Sequence, residues 1–116
     1  VWTGRIVKIS PATVAAGEEV AVSVRLDPGV LMEEGYDWWV VVSTPWGFFS
    51  FVVPGGWQPG LHTCIQSAPF LLADPIEVLR AALPTGFYTF YFALDDQQNG
   101  TLDGTIWWDS VTVLVQ

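Results

Sequence analysis

Gly86-Phe87-Tyr88-Thr89-Phe90-Tyr91-Phe92-Ala93-Leu94, the acidic run Asp95 to Gly104 (DDQQNGTLDG), and Ile106-Trp107-Trp108-Asp109-Ser110-Val111-Thr112-Val113-Leu114-Val115 together decide the fold. Aromatic and β-branched residues fill both flanks, and a cluster of turn-forming residues separates them, which is the signature of two antiparallel strands joined by a turn. Alternation puts Tyr88, Phe90, Phe92 and Leu94 on one face, the expected core. Phe87 and Tyr91 then fall on the other.

The same alternation, punctuated by Gly or Pro every ten residues or so, runs through the rest of the chain. Trp2 to Ser10 reads as a first strand broken at Pro11. Glu19 to Leu26 follows, with Val20, Val22, Val24 and Leu26 inward and Ser23 and Arg25 toward solvent. A loop over Leu31 to Gly35 carries Glu33 and Glu34. Tyr36 to Thr44 and Phe48 to Val53 form a hairpin about Pro45-Trp46-Gly47. Pro54 to Gly60 reads as a loop, and Thr63 to Gln66 as one irregular strand. Asp74 to Leu83 has a capping residue, Pro75 at the first helical position and Glu77 at capping-box spacing, so a two-turn crossover helix is expected there. The reading is all-β: an antiparallel sandwich of about seven strands with one short crossover helix, in a single domain over residues 1–116.

Composition narrows the function. A chain of 116 residues, 51% apolar, can build a self-sufficient core. The net charge is -8, and Arg5, Lys8, Arg25 and Arg80 are scattered, so the basic stripe that nucleic acid needs is missing. No apolar run reaches the roughly 18 residues of a membrane span, so insertion is not expected. The first residues lack the sections of a secretory signal, and the chain is expected to be a mature or excised fragment. One cysteine, Cys64, allows no internal disulfide. It stands two residues from His62, but no further His or Cys exists to complete a metal site, and the expected roles are a core thiol and a capping imidazole. Adjacent carboxylates such as Glu33-Glu34 and Asp95-Asp96 point opposite ways on a strand, so no acid and base pair is apparent and an enzyme is not expected.

Several segments together resemble the immunoglobulin-like fold in the broad sense that includes fibronectin-like and bacterial extracellular modules. Gly86-Phe87-Tyr88-Thr89-Phe90 is similar to the run that opens strand F, with Phe90 where a cysteine would stand. Trp38 or Trp39 resembles the core tryptophan of strand C, and Val22 or Val24 would replace the other cysteine. Ser10 to Val20 looks like the first two strands of such modules, with a proline kink that lets the first strand change sheets. The resemblance implies the fold and an extracellular or cell-surface place in a bacterium. It implies no activity.

The acidic run has the spacing of a calcium loop. Calcium takes roughly six to eight hard oxygen ligands, supplied at alternate positions around a glycine. Asp95, Gln97, Asn99, Thr101 (through its carbonyl) and Asp103 take the odd positions, with Gly100 sixth. The twelfth is Ile106 in place of the usual Glu, so Asp96 or Asp109 is needed to close the shell. Asp109 shares a face with Trp107 and Val111, and a buried carboxylate must be paired or ligated. The plain alternative is a polar hairpin corner at Asn99-Gly100. Calcium would suit a millimolar-calcium exterior.

Large apolar residues on both faces of several strands leave a second surface to explain. Phe87, Tyr91, one of Trp38 and Trp39, Trp108 and two hairpin phenylalanines are expected outside, as a patch for another copy of the chain or a neighbouring domain, unless Leu71 to Leu83 covers it. The expected function is a non-catalytic structural or adhesive module, self-associating in a surface assembly and stabilised by calcium. Residues Val1 to Ile9 are a candidate for strand addition to a neighbour. The alternative is a carbohydrate-binding sandwich in which Trp39, Trp46, Trp57 and Gln58 form a sugar platform. A sugar site needs aromatics beside Asn, Asp or Gln at one spot, whereas an assembly face needs a broad area depleted of charge.

Overall fold

The computed structural model describes residues 5–8, 13–26, 36–53, 55–67, 72–95, 100–101 and 106–116. They form ten strands and no helix. In chain order these are β1 (Arg5–Lys8), β2 (Thr13–Val14), β3 (Glu19–Leu26), β4 (Tyr36–Thr44), β5 (Gly47–Val52), β6 (Gly56–Pro59), β7 (Ile65–Ser67), β8 (Leu72–Ala82), β9 (Gly86–Asp95) and β10 (Ile106–Val115). The smaller sheet has the order β1-β3-β8; the larger runs β2-β10-β9-β4-β5-β6, with β7 also paired to β4. All ladders are antiparallel except that of β2 with β10.

One core joins the two sheets. Val20, Val22, Val24 and Leu26 of β3 meet Trp38, Val40 and Val42 of β4 and Tyr88, Phe90, Phe92 and Leu94 of β9. The inward face of β9 is the one its alternation predicts, and every member of it is buried. Trp38 is the inward tryptophan, its ring 6.1 Å from Phe92. At the entry to β9 the Tyr88 hydroxyl donates to the Pro84 carbonyl at 2.7 Å, fixing the corner from which the strand departs. The β4–β5 hairpin turns over Pro45-Trp46, where Thr44 Oγ1 accepts from the Trp46 amide and donates to the Gly47 carbonyl.

The expected helix over Asp74 to Leu83 is a strand, and this is the main correction. Without β8, one side of β3 would leave its backbone groups unpaired next to the core, whereas β8 pairs them from Glu19↔Ala82 to Leu26↔Leu72. A cap contributes about 1 kcal/mol, and a two-turn helix is marginal by itself, so the ladder wins. The ladder has two register shifts, between Val22 and Ser23 and between Val24 and Leu26. Because β8 belongs to the smaller sheet, Leu72–Ala82 does not cover the outer face of the larger one, which was the alternative to an open patch.

Smaller differences have local causes. Gly56–Pro59, expected as loop, pairs with β5 as an edge strand whose Pro59 ends it. Ser23 is buried because β3 is the middle strand of three, while Arg25 is exposed. Of the Val1 to Ile9 segment, Arg5–Lys8 pairs with β3 of its own chain as an edge strand of the smaller sheet, and the rest lies outside the described residues. The loop expected over Leu31 to Gly35 lies outside the described residues.

Candidate functional site

The end of β9 brings two carboxylates together. Asp37 of β4 and Asp95 of β9 are cross-strand partners, and both are fully buried. Their Cβ atoms are therefore about 5 Å apart by ladder geometry. Asp37 Oδ1 accepts from Gln66 Nε2 at 2.8 Å, and its Oδ2 accepts from the Gly100 amide at 2.7 Å. A single side chain thus joins β4, β7 and the acidic loop. Gly100 has φ of 81°, a conformation glycine adopts without strain.

Of the loop residues singled out from sequence, Asp95 stands at this base and Thr101 is exposed beside Gly100. Asp96, Gln97, Asn99 and Asp103 lie outside the described residues. Asp109 faces Phe92 across the β9–β10 ladder, on the core side with Trp107 and Val111, and is half-buried. Alternation puts Asp95 on the opposite, outer side of the sheet, so Asp95 and Asp109 do not converge. Among the described residues no group of three or more His, Cys, Asp or Glu stands close enough to hold a metal ion. Asp37 is the functional candidate that sequence reading missed. Its signal was a lone carboxylate within the apolar run Tyr36 to Val42.

The outer face of the larger sheet is the second feature. The ladders align Trp39, Ala93 and Trp108 in one row and Val41, Tyr91 and Ser110 in the next. Small Ala93 between two indoles leaves a trough of about 370 Å³, floored by Ala93 and Val41 and walled by Trp39, Phe48, Leu61, Tyr91, Ile106 and Trp108. Trp39 is 2% exposed, whereas Trp108 stands proud at 57% and Phe48 at 47%. The Tyr91 and Trp108 rings are 6.4 Å apart. Among the described residues the buried Trp39 Nε1–H has no acceptor.

Outward positions of β4, β5, β9 and β10 carry only two charged residues, Asp37 and Asp95, and both are fully buried. The face therefore exposes no charge on these four strands, although the chain carries -8. Phe87, 65% exposed, shares the face but lies at its far end opposite Leu114, beyond the Thr89–Thr112 hydroxyl pair.

Trp46 and Trp57 are elsewhere. With Phe49, Leu79, Tyr88 and Phe90 they line an apolar cleft of about 310 Å³ on the core side, between the two sheets. Trp57 packs on Phe51 and Phe90, and its Nε1 donates to the Val78 carbonyl of the smaller sheet at 2.8 Å. Trp46 is exposed above Tyr88. Gln58 points outward on edge strand β6. Trp39, Trp46, Trp57 and Gln58 consequently do not meet at one spot.

His62 and Cys64 also part company. The exposed His62 ring lies 2.9 Å from the Pro59 carbonyl, while Cys64 is buried, its amide donating to the Trp38 carbonyl. Burial pushes the Cys64 thiol up to about 11, leaving it protonated and unreactive at neutral pH.

Searches against family models, curated proteins and solved structures found no match.

Proposed function

We propose that this chain is a non-catalytic, immunoglobulin-like structural or adhesive module of a bacterial exterior that works through protein contact on the outer face of its larger sheet. The fold assignment draws on strand order. With β1, β3 and β8 read as A, B and E, and β10-β9-β4-β5-β6 as G, F, C, C′ and C″, the larger sheet is compatible with the variable-type order, while the smaller sheet has no D strand among the described residues, β7 pairing with β4 instead. The Tyr88 to Pro84 hydrogen bond supports this reading, since it has the form of a tyrosine corner at the start of strand F.

The observation that carries the functional reading is the uncharged outer face around the Trp39, Tyr91 and Trp108 trough. Protein interface centres are depleted of charge and rich in aromatics, whereas sugars need planar polar side chains beside the rings, and among the described residues the trough walls supply no Asn, Asp or Gln. A glycan array is expected to give no specific binding. A saccharide retained by the parent chain and lost by Trp108→Ala would overturn the protein-contact reading.

Calcium at the loop end belongs to the same proposal. Asp95 opposite Asp37, with Gly100 drawn onto the latter, gathers oxygen ligands where the run from Asp95 to Asp103 begins. Asp109, on the other side of the sheet, is not among these ligands. Calorimetric titration with calcium is expected to release or absorb heat at a stoichiometry near one. A flat titration, with an unchanged melting temperature in EDTA, removes the ion.

A further inference from the structure

We infer that the partner of the outer face is a second copy of this chain, docked by face-to-face packing of the two larger sheets about a two-fold axis. The inference rests on the protein-contact reading and names its partner.

Three features of the face fit a copy of itself. Charge is the first. Two chains of -8 repel at long range, so they can meet closely only where neither presents a charge, and the exposed positions of β4, β5, β9 and β10 on this face present none. Relief is the second. The face carries both a projection, the half-exposed indole of Trp108, and a hollow floored by Ala93 and Val41. A two-fold relation is self-complementary, so each Trp108 can fill the other copy's trough. Extent is the third. With strands about 4.8 Å apart and nine, six, ten and ten residues long, this face spans roughly 550 Å², about two-thirds of the 800 Å² or so per partner of a standard interface.

Two of the sheet edges are poor templates for another chain: on β8 the Glu77–Arg80 ion pair and two register shifts interrupt the edge, and β6 is four residues long and ends in Pro59.

Sedimentation velocity from micromolar to millimolar concentration, at low and high salt, tests the inference on the whole chain. A monomer–dimer equilibrium is expected, and it should tighten as salt rises, because screening removes the repulsion between two acidic chains while the apolar contact is unaffected. Trp108→Lys and Phe48→Lys, both at exposed positions that leave the core intact, should weaken the dimer by roughly tenfold or more, the effect of losing an aromatic anchor. Trp46→Lys, an equally exposed tryptophan off this face, should leave it unchanged. A chain that stays monomeric throughout, or a dimer indifferent to both face variants, overturns the inference and leaves the protein-contact reading with a different protein as partner. Saccharide binding at Trp108 overturns both.

Discussion

Trp57→Ala is expected to destabilise the fold by about 3 kcal/mol, the lower range for truncating a large aromatic because Trp57 is only partly buried. For a chain of this size that is a fall in melting temperature of roughly 10 °C. The reason lies in how the open edges of the two sheets are held together. On β8, Leu79 pairs with Val22 and Glu77 with Ser23, so Val78 is the inserted residue of a bulge and has no partner on β3. Its side chain enters the core, and its carbonyl takes the indole N–H of Trp57 from β6 on the other sheet. The indole thus satisfies a backbone group that the bulge releases, while its ring fills the space beside Phe51 and Phe90. Trp57→Phe separates the two contributions. It keeps most of the ring packing and orphans the Val78 carbonyl, at a cost of about 1–3 kcal/mol. Urea unfolding of both variants measures the split, and a phenylalanine variant as stable as the parent would show that the cross-sheet bond contributes nothing.

The contrast between β9 and β8 shows what this sequence discloses and what it withholds. In β9 local propensity, alternation and burial agree: Phe, Tyr and Thr favour strands, and the four residues of one parity are the four that go inside. In β8 they conflict. Asp74-Pro75 and Glu77 are a good helix start, and only the demand of β3 for a second neighbour decides against it. That demand is a long-range fact, invisible in a window of ten residues. The outer face was half legible for a similar reason. Alternation told that Tyr91, Trp108 and one of two adjacent tryptophans lie outside, but their meeting depends on the registers that set Trp39, Ala93 and Trp108 in one row. In a loop, as Pro54 to Gly60 reads, Trp57 is available either to a sugar platform or as a core plug. Once that segment is an edge strand opposite Phe51, alternation turns the indole inward.

Asp37 carries the second large effect. Asp37→Ala is expected to cost about 2–3 kcal/mol, since it removes a buried acceptor of two hydrogen bonds, one of them to the Gly100 amide. Hydrogen exchange should report the same event locally: the Gly100 amide should exchange faster in the variant, because its bond to Asp37 ties the loop to β4. An unchanged Gly100 rate would mean that the loop is held by other contacts. Asp37→Asn asks a sharper question. The amide keeps an oxygen for the Gly100 N–H, can donate its NH2 to Gln66 once that side-chain amide turns its oxygen inward, and removes one of two carboxyl groups that face each other across the β4–β9 ladder, where like charges oppose pairing. Without a cation the substitution therefore relieves a repulsion and should leave the melting temperature equal or higher. With calcium bound between Asp37 and Asp95 the same change deletes a ligand charge and should lower it. The two conditions predict opposite signs for one substitution, so melting curves of the parent and Asp37→Asn in EDTA and in millimolar calcium separate an ion site from a purely structural clamp: reversal of their order requires the ion, and the same order in both conditions excludes it.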